Sequence, residues 1–107
     1  MEIRQYQIVV VNLDPTVGSE IRKTRPCVVV SPDEMNSNLH TITLCPMTTT
    51  LKPYPTRIKT LLQRKVGWIV VDQIRTIDRN RIVKVAGHLK TETIVELKAI
   101  IKETFVD

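Results

Sequence analysis

Residues Asp14–Pro46, DPTVGSEIRKTRPCVVVSPDEMNSNLHTITLCP, decide the fold. A basic, turn-rich segment (Asp14 to Arg25) feeds the apolar run Cys27-Val28-Val29-Val30. A polar turn follows, then a second strand-like run that ends at Pro46 and continues into Met47-Thr48-Thr49-Thr50. Arg25 stands just before the first run and Thr48 just after the second. A four-residue β run spans only about 13 Å. In an antiparallel pair the start of one strand lies beside the end of the other, so the geometry allows, without fixing, one polar site shared by Arg25 and Thr48.

Working outward, Gln7 to Leu13 is a continuous β-branched run, expected to be a strand buried on both faces. Asp14-Pro15 ends it, because Pro15 has no N–H to give to a ladder. Asp14 to Arg25 is long for a connection, and connections of that length are usually functional. Pro26 is expected to open the second strand. Ser31-Pro32-Asp33-Glu34 has the form of a capping box with Pro at the first helical position, predicting a helix of one or two turns. His40 to Cys45 and Arg57 to Leu61 alternate with period two, and Gly67 to Val71 is a third apolar run. Met47 to Pro55 reads as a loop, and Arg81 to Ala86 as an edge strand. The long C-terminal helix has Thr91 or Thr93 as N-cap and a stripe of Ile94, Leu97, Ile101 and Phe105. The fold class is therefore mainly β with a C-terminal helix, a small, strongly bent antiparallel sheet or partly open barrel. One domain is expected over residues 1–107.

The net charge of +5 gathers in clusters: Arg22, Lys23 and Arg25, then Lys52, Arg57 and Lys59, then Arg75, Arg79 and Arg81. Cations recurring after strands suit a groove for a polyanion, although a solvated surface has the same composition. No apolar run is long enough to span a membrane and the N-terminus lacks a signal-like apolar core, so the cytoplasm is the expected location. Cys27 and Cys45 lie in separate apolar runs without metal-ligand spacing. They are expected to be buried, reduced thiols that could face each other across paired strands.

The chain has no Walker loop, GxGxxG, HExxH or GxSxG pattern. His40 and His88 lack ligand or acid–base companions, so neither a metal nor another cofactor is expected. The polar residues that remain suit one chemistry well. When RNA is cleaved by its own 2′-OH, the nucleophile belongs to the substrate. The protein has only to orient the phosphate, neutralise its oxygens and assist proton transfer. A guanidinium grips phosphate bidentately and a threonine hydroxyl can donate to a phosphoryl oxygen, so Arg25 and Thr48 would form a minimal site; the alternatives are an ion pair of Arg25 with Glu20 or Asp14, and a β run or turn cap over Thr48 to Thr50. Asp72 and Arg75 bracket the end of a buried strand, where an ion pair is the simpler reading. Trp68, inside an apolar run, is expected in the core. Tyr54, between Pro53 and Pro55, is the aromatic best placed to stack on a base.

At these residues the chain resembles the MazF/PemK family of toxins from type II toxin–antitoxin systems. The resemblance is carried by Asp14-Pro15-Thr16-Val17-Gly18-Ser19-Glu20, Arg25-Pro26, Val28 to Pro32, Asn36, Pro46-Met47-Thr48, Tyr54-Pro55, Gly67, Asp72 to Asp78 and Arg81. It implies an SH3-like barrel that forms a homodimer, and a metal-independent endoribonuclease that cuts single-stranded RNA to leave a 2′,3′-cyclic phosphate and a 5′-hydroxyl. Arg25 and Thr48 match the family's catalytic arginine and threonine. Glu20 and Asp72 match carboxylates with catalytic or substrate-positioning roles. Ser19, Arg22, Lys23, Thr49, Tyr54, Gln73 and Arg75 are the expected RNA-binding positions. The implied partners are single-stranded RNA and an antitoxin with an acidic C-terminal segment. The chain departs from the family at Tyr6-Gln7, Val10 and Asn12, and has no glycine between Glu20 and Arg25. Val70 stands where some members carry an arginine. The alternatives are a gyrase-poisoning toxin of the CcdB type, which shares the fold, and a non-catalytic RNA-binding barrel.

Overall fold

The computed structural model describes residues 1–12, 24–49, 55–62 and 64–106. Its strands are β1 (Gln7–Asn12), β2 (Thr24–Val29), β3 (Thr41–Thr48), β4 (Arg57–Leu62), β5 (Lys65–Val70), β6 (Arg75–Asp78) and β7 (Ile82–His88). Two helices join them, α1 (Asp33–Asn38) between β2 and β3, and α2 (Thr91–Ile101) after β7. The seven strands form one antiparallel sheet in the order β4-β5-β3-β2-β1-β7, with β6 also paired to β3.

The bend of this sheet is set by β3, which changes partner part-way along one side. Thr41 to Leu44 pair with β6, and Met47 and Thr48 pair with β5. Cys45 and Pro46 fall in the gap between the two ladders. A proline is tolerated there because it has no donor to contribute. The chain crosses this gap in a 3₁₀ turn, Val71–Gln73, that links β5 to β6. At the other edge, register shifts between Ile8 and Val9 and between Val10 and Val11 bend β1 against β7.

Strand alternation sends side chains to two cores, one on each face. Val9, Val11, Cys27, Val29, Ile42 and Leu44 meet Ile3, Ile77 and Ile82 on the first. Ile8, Val28, Cys45, Met47, Ile58 and Ile69 meet Val71, Leu89 and Leu97 on the second. The second face is where α2 docks, with Leu97 fully buried and Ile94, Ile100 and Ile101 partly so. Burying a leucine side chain is worth roughly 1.5–3 kcal/mol. The run Gln7 to Asn12 is buried on both faces, as its composition predicts.

Several local expectations need correction. β2 starts at Thr24, so Arg25 and Pro26 lie inside the strand, opposite Val11 and Val10. β3 runs on through Pro46 and Met47 to Thr48, where a loop was expected. The capping box at Ser31 does not form. The N-cap of α1 is Pro32, without a side-chain cap, and the Ser31 hydroxyl instead donates to Asn36 Oδ1 at 2.5 Å. Asn36 is fully buried and its Nδ2 donates back to the Ser31 carbonyl at 2.8 Å. The Thr43 N–H donates to Ser31 Oγ, and the Arg79 guanidinium donates to the Asn36 carbonyl, so this network ties α1 to β3 and to the turn after β6. Neither Thr91 nor Thr93 caps α2, whose N-cap is Lys90. Phe105 leaves the buried stripe, because the helix widens into a π turn over Lys102–Val106 and leaves its ring half exposed.

Candidate active site

The polar site lies on the same sheet face as the first core, displaced toward β4 and β5. Cys27 pairs with Pro46, and continuing that register by two residues sets Arg25 opposite Thr48. Thr48 is paired on its other side with Trp68, and Trp68 with Lys59. Arg57 is paired with Val70, and continuing the β3–β5 register by one residue sets Val70 beside Pro46. Residues directly opposite in an antiparallel ladder project to one face. Arg25, Thr48, Arg57, Val70 and Pro46 therefore share a surface, and with Gln73 they line an open cavity of about 250 Å³. Gln73 reaches it because the Val71–Gln73 turn crosses the gap at Pro46.

Asp72 stands behind the cavity. Its Oδ1 accepts a hydrogen bond from the Thr56 hydroxyl at 2.8 Å and lies 3.8 Å from Arg57 Nε. The Val71 N–H donates to the Thr56 carbonyl at 3.0 Å, which clamps the turn to the start of β4. The Arg57 side chain is only 11% exposed against 40% for Asp72, so Arg57 is a cation held within the wall. The ion pair expected between Asp72 and Arg75 does not form; the partners of Asp72 are Thr56 and Arg57.

Both cysteines are free and buried. Burial pushes the Cys27 thiol up to about 12, although the nearby Arg75 and Arg25 charges pull it down. Burial likewise pushes Cys45 up to about 12, with Cys27 and Asp72 adding to the rise. The two do not face each other. Cys45 pairs with Val28, one register position from Cys27, so the thiols point into opposite cores. Neither is a nucleophile at neutral pH.

The sequence profile of the PemK-like, MazF-like toxins of type II toxin–antitoxin systems matches residues 4–105. The chain belongs to this toxin family. It is 32% identical over 112 residues to endoribonuclease MazF9 of Mycobacterium tuberculosis, across 94% of this chain and 93% of that protein. It is 37% identical over 67 residues to the endoribonuclease toxin MazF of Escherichia coli K12, across 63% of this chain and 60% of that protein. The crystal structure of MazF from Deinococcus radiodurans has the same fold, with a TM-score of 0.83 at 22% identity over 100% of this chain and 99% of that one. A MazE–MazF structure from the same organism superposes with a TM-score of 0.79 at 22% identity, over 96% of this chain and 95% of that one.

Of the residues the sequence nominated, Arg25, Thr48 and Gln73 come together in the cavity, with Asp72 one contact behind. Thr49 and Arg75 are exposed and do not line it, although Arg75 pairs with Leu44 on the same sheet face. Ser19, Glu20, Arg22, Lys23 and Tyr54 lie outside the described residues. Arg57 is the member of the site that the sequence reading left in a general basic cluster. The alternation Arg57-Ile58-Lys59 carried the signal: Ile58 goes to the second core, so Arg57 must project to the other face.

Proposed function

We propose that this toxin is a metal-independent endoribonuclease that cuts single-stranded RNA through attack of the substrate's own 2′-OH. The observation that carries the reading is the convergence of Arg25, Thr48 and Arg57 on one open cavity. Arg25, exposed at its mouth, grips the scissile phosphate bidentately. The Thr48 hydroxyl donates to a non-bridging oxygen, and Arg57 supplies a second, partly desolvated cation. The 2′-oxygen attacks phosphorus and the bond to the 5′-oxygen breaks. The 2′-hydroxyl loses a proton, the departing 5′-oxygen gains one, and the ends are a 2′,3′-cyclic phosphate and a 5′-hydroxyl. Charge that builds on the phosphoryl oxygens meets donors already in place, which is where such sites gain most of their rate. Gln73 offers an amide to a base or ribose edge. Asp72 positions Arg57, and Glu20 is a second carboxylate for a catalytic or substrate-positioning role. Thr49 and Arg75, both exposed, extend the RNA contact, and Ser19, Arg22, Lys23 and Tyr54 are further RNA-binding positions that the family match implies.

The physiological setting that goes with this reading is a cytoplasmic homodimer held silent by an antitoxin whose acidic segment covers the cations. No helix among the described residues is long and apolar enough to cross a membrane. The test is incubation of the purified protein with a long unstructured RNA in excess EDTA, beside an Arg25→Ala control, with ends mapped by sequencing. Discrete cuts with cyclic phosphate ends, absent from the control, are expected. A folded protein that leaves several RNAs intact refutes the reading, and inhibition of DNA supercoiling in its place would assign the gyrase-poisoning role.

A further inference from the structure

The geometry points to Trp68 as a stacking platform for an unpaired RNA base beside the scissile phosphate, an inference that rests on the ribonuclease reading above. The sequence places Trp68 in an apolar run, and a core position was expected. The structure leaves it half-buried and outside both core clusters. Its cross-strand neighbours are Thr48 on β3 and Lys59 on β4, so the indole stands on the face that carries the site. Adjacent strands lie about 4.8 Å apart, which puts the ring one strand from the Thr48 hydroxyl. Two residues along β5 on the same face, Val70 lines the cavity. In the other direction Val66 is 45% exposed, opposite Leu61 at 57%.

The resulting row has a large π surface with phosphate-binding groups on one flank and an exposed lysine on the other. That is the arrangement a nucleotide requires. The base stacks on the ring, the scissile phosphate sits at Thr48 and Arg25, and the neighbouring phosphate meets Lys59. Stacking of this kind is tolerant of sequence, since every base has a π face. Val66 and Leu61 extend the platform with apolar surface for a base edge or a ribose. A protein partner fits less well, because lysine is depleted from the centres of protein interfaces.

Trp68 is the single tryptophan of the chain, so indole fluorescence reports on this position alone. The experiment titrates the native protein with a short single-stranded RNA carrying 2′-O-methyl groups, which cannot be cleaved. Indole emission and the anisotropy of a label on the RNA are followed together. Saturable quenching that tracks the anisotropy is expected. Trp68→Ala should weaken binding about 5- to 100-fold and raise KM more than it lowers kcat, and Trp68→Phe should recover most of the loss. Binding by anisotropy with indole emission unchanged overturns the stacking role and leaves the nuclease standing. Equal affinity in Trp68→Ala with a changed molecular mass by sedimentation also overturns it, and assigns the face to an interface between copies. No binding of RNA in either channel overturns the ribonuclease reading and the platform with it.

Discussion

Asp72→Asn separates a carboxylate that handles protons from one that only holds a cation in place. Asparagine keeps an oxygen that can accept from the Thr56 hydroxyl, so the 2.8 Å hydrogen bond and the turn it fastens survive. What is lost is the charge 3.8 Å from Arg57 Nε. At that separation the Coulomb attraction is about 1 kcal/mol in bulk water and about 4 kcal/mol at an effective dielectric of about 20. Asp72 is 40% exposed, so the lower figure governs, in line with the 0.2–1 kcal/mol measured for exposed pairs. Without the Asp72 charge, Arg57 presents more positive potential to the cavity. RNA binding should tighten by up to about fivefold, the equivalent of about 1 kcal/mol. The gain should shrink as salt is raised, since screening removes it.

The assay is anisotropy with an uncleavable RNA at low and high salt, beside kcat and KM on a cleavable one across pH. Tighter binding at low salt is expected, with a kcat within about tenfold of the parent. A fall in kcat of about a hundredfold or more at unchanged affinity, with one limb of the pH profile missing, would rule out a purely positioning role for Asp72. Asp72 would then be a general acid or base, a role worth about 10²–10⁴ in rate.

Thr48→Val removes one donor to the phosphoryl oxygens at constant shape. It should lower kcat by about 10²–10³ with little change in RNA affinity, and an unchanged rate in single-turnover cleavage would return Thr48 to a structural role. Asn36→Ala strips the partner from the Ser31 hydroxyl in a fully buried network, and should cost about 1–3 kcal/mol, read as a fall in Tm of several degrees by calorimetry. Cys27 and Cys45 ionise near 9 when unfolded and near 12 when folded. The unfolded chain therefore loses these protons first, and their contribution, intact below pH 9, should be lost as pH rises toward 12. The slope should approach about 1.4 kcal/mol per thiol per pH unit in denaturant titrations, and a double Cys→Ala variant should flatten it. Iodoacetamide at neutral pH should label both thiols only in denaturant.

Much of this fold is legible in the sequence because its strands are short, β-branched and punctuated by turns. The apolar runs at Ile8, Val28 and Ile69 all became central strands, and Arg25 and Thr48 line one cavity, a placement that antiparallel neighbours allow. Proline misled at two places. Pro26 and Pro46 read as boundaries, yet each sits inside a strand where a ladder on one side is interrupted: the β2–β3 pairing starts at Cys27, and β3 changes partner beside Pro46. No local pattern reveals such a gap, because it depends on which strand arrives from elsewhere in the chain. Ser31 carried a capping signal, but a buried amide five residues on offered its hydroxyl a better partner. Trp68 and Arg57 were hidden for the opposite reasons. An apolar neighbourhood concealed a half-exposed ring, and a basic neighbourhood concealed a cation 11% exposed.

The same gap explains where the site stands. On the first face, β3 presents Ile42, Leu44, Pro46 and Thr48 in turn. The first two belong to the core, Pro46 is buried in the cavity wall, and Thr48 is half-exposed. The transition from core to site takes four residues of one strand, at the point where β6 gives way to β5. The turn that bridges the gap brings Gln73 to the opening and Asp72 behind it. Arg25 follows from the β2 register, and Arg57 from the pairing of β4 with β5. A single change of partner in the sheet thus gathers residues from four strands and one turn. The cations they carry lie beyond the apolar rows, so their replacement should alter chemistry before it alters folding.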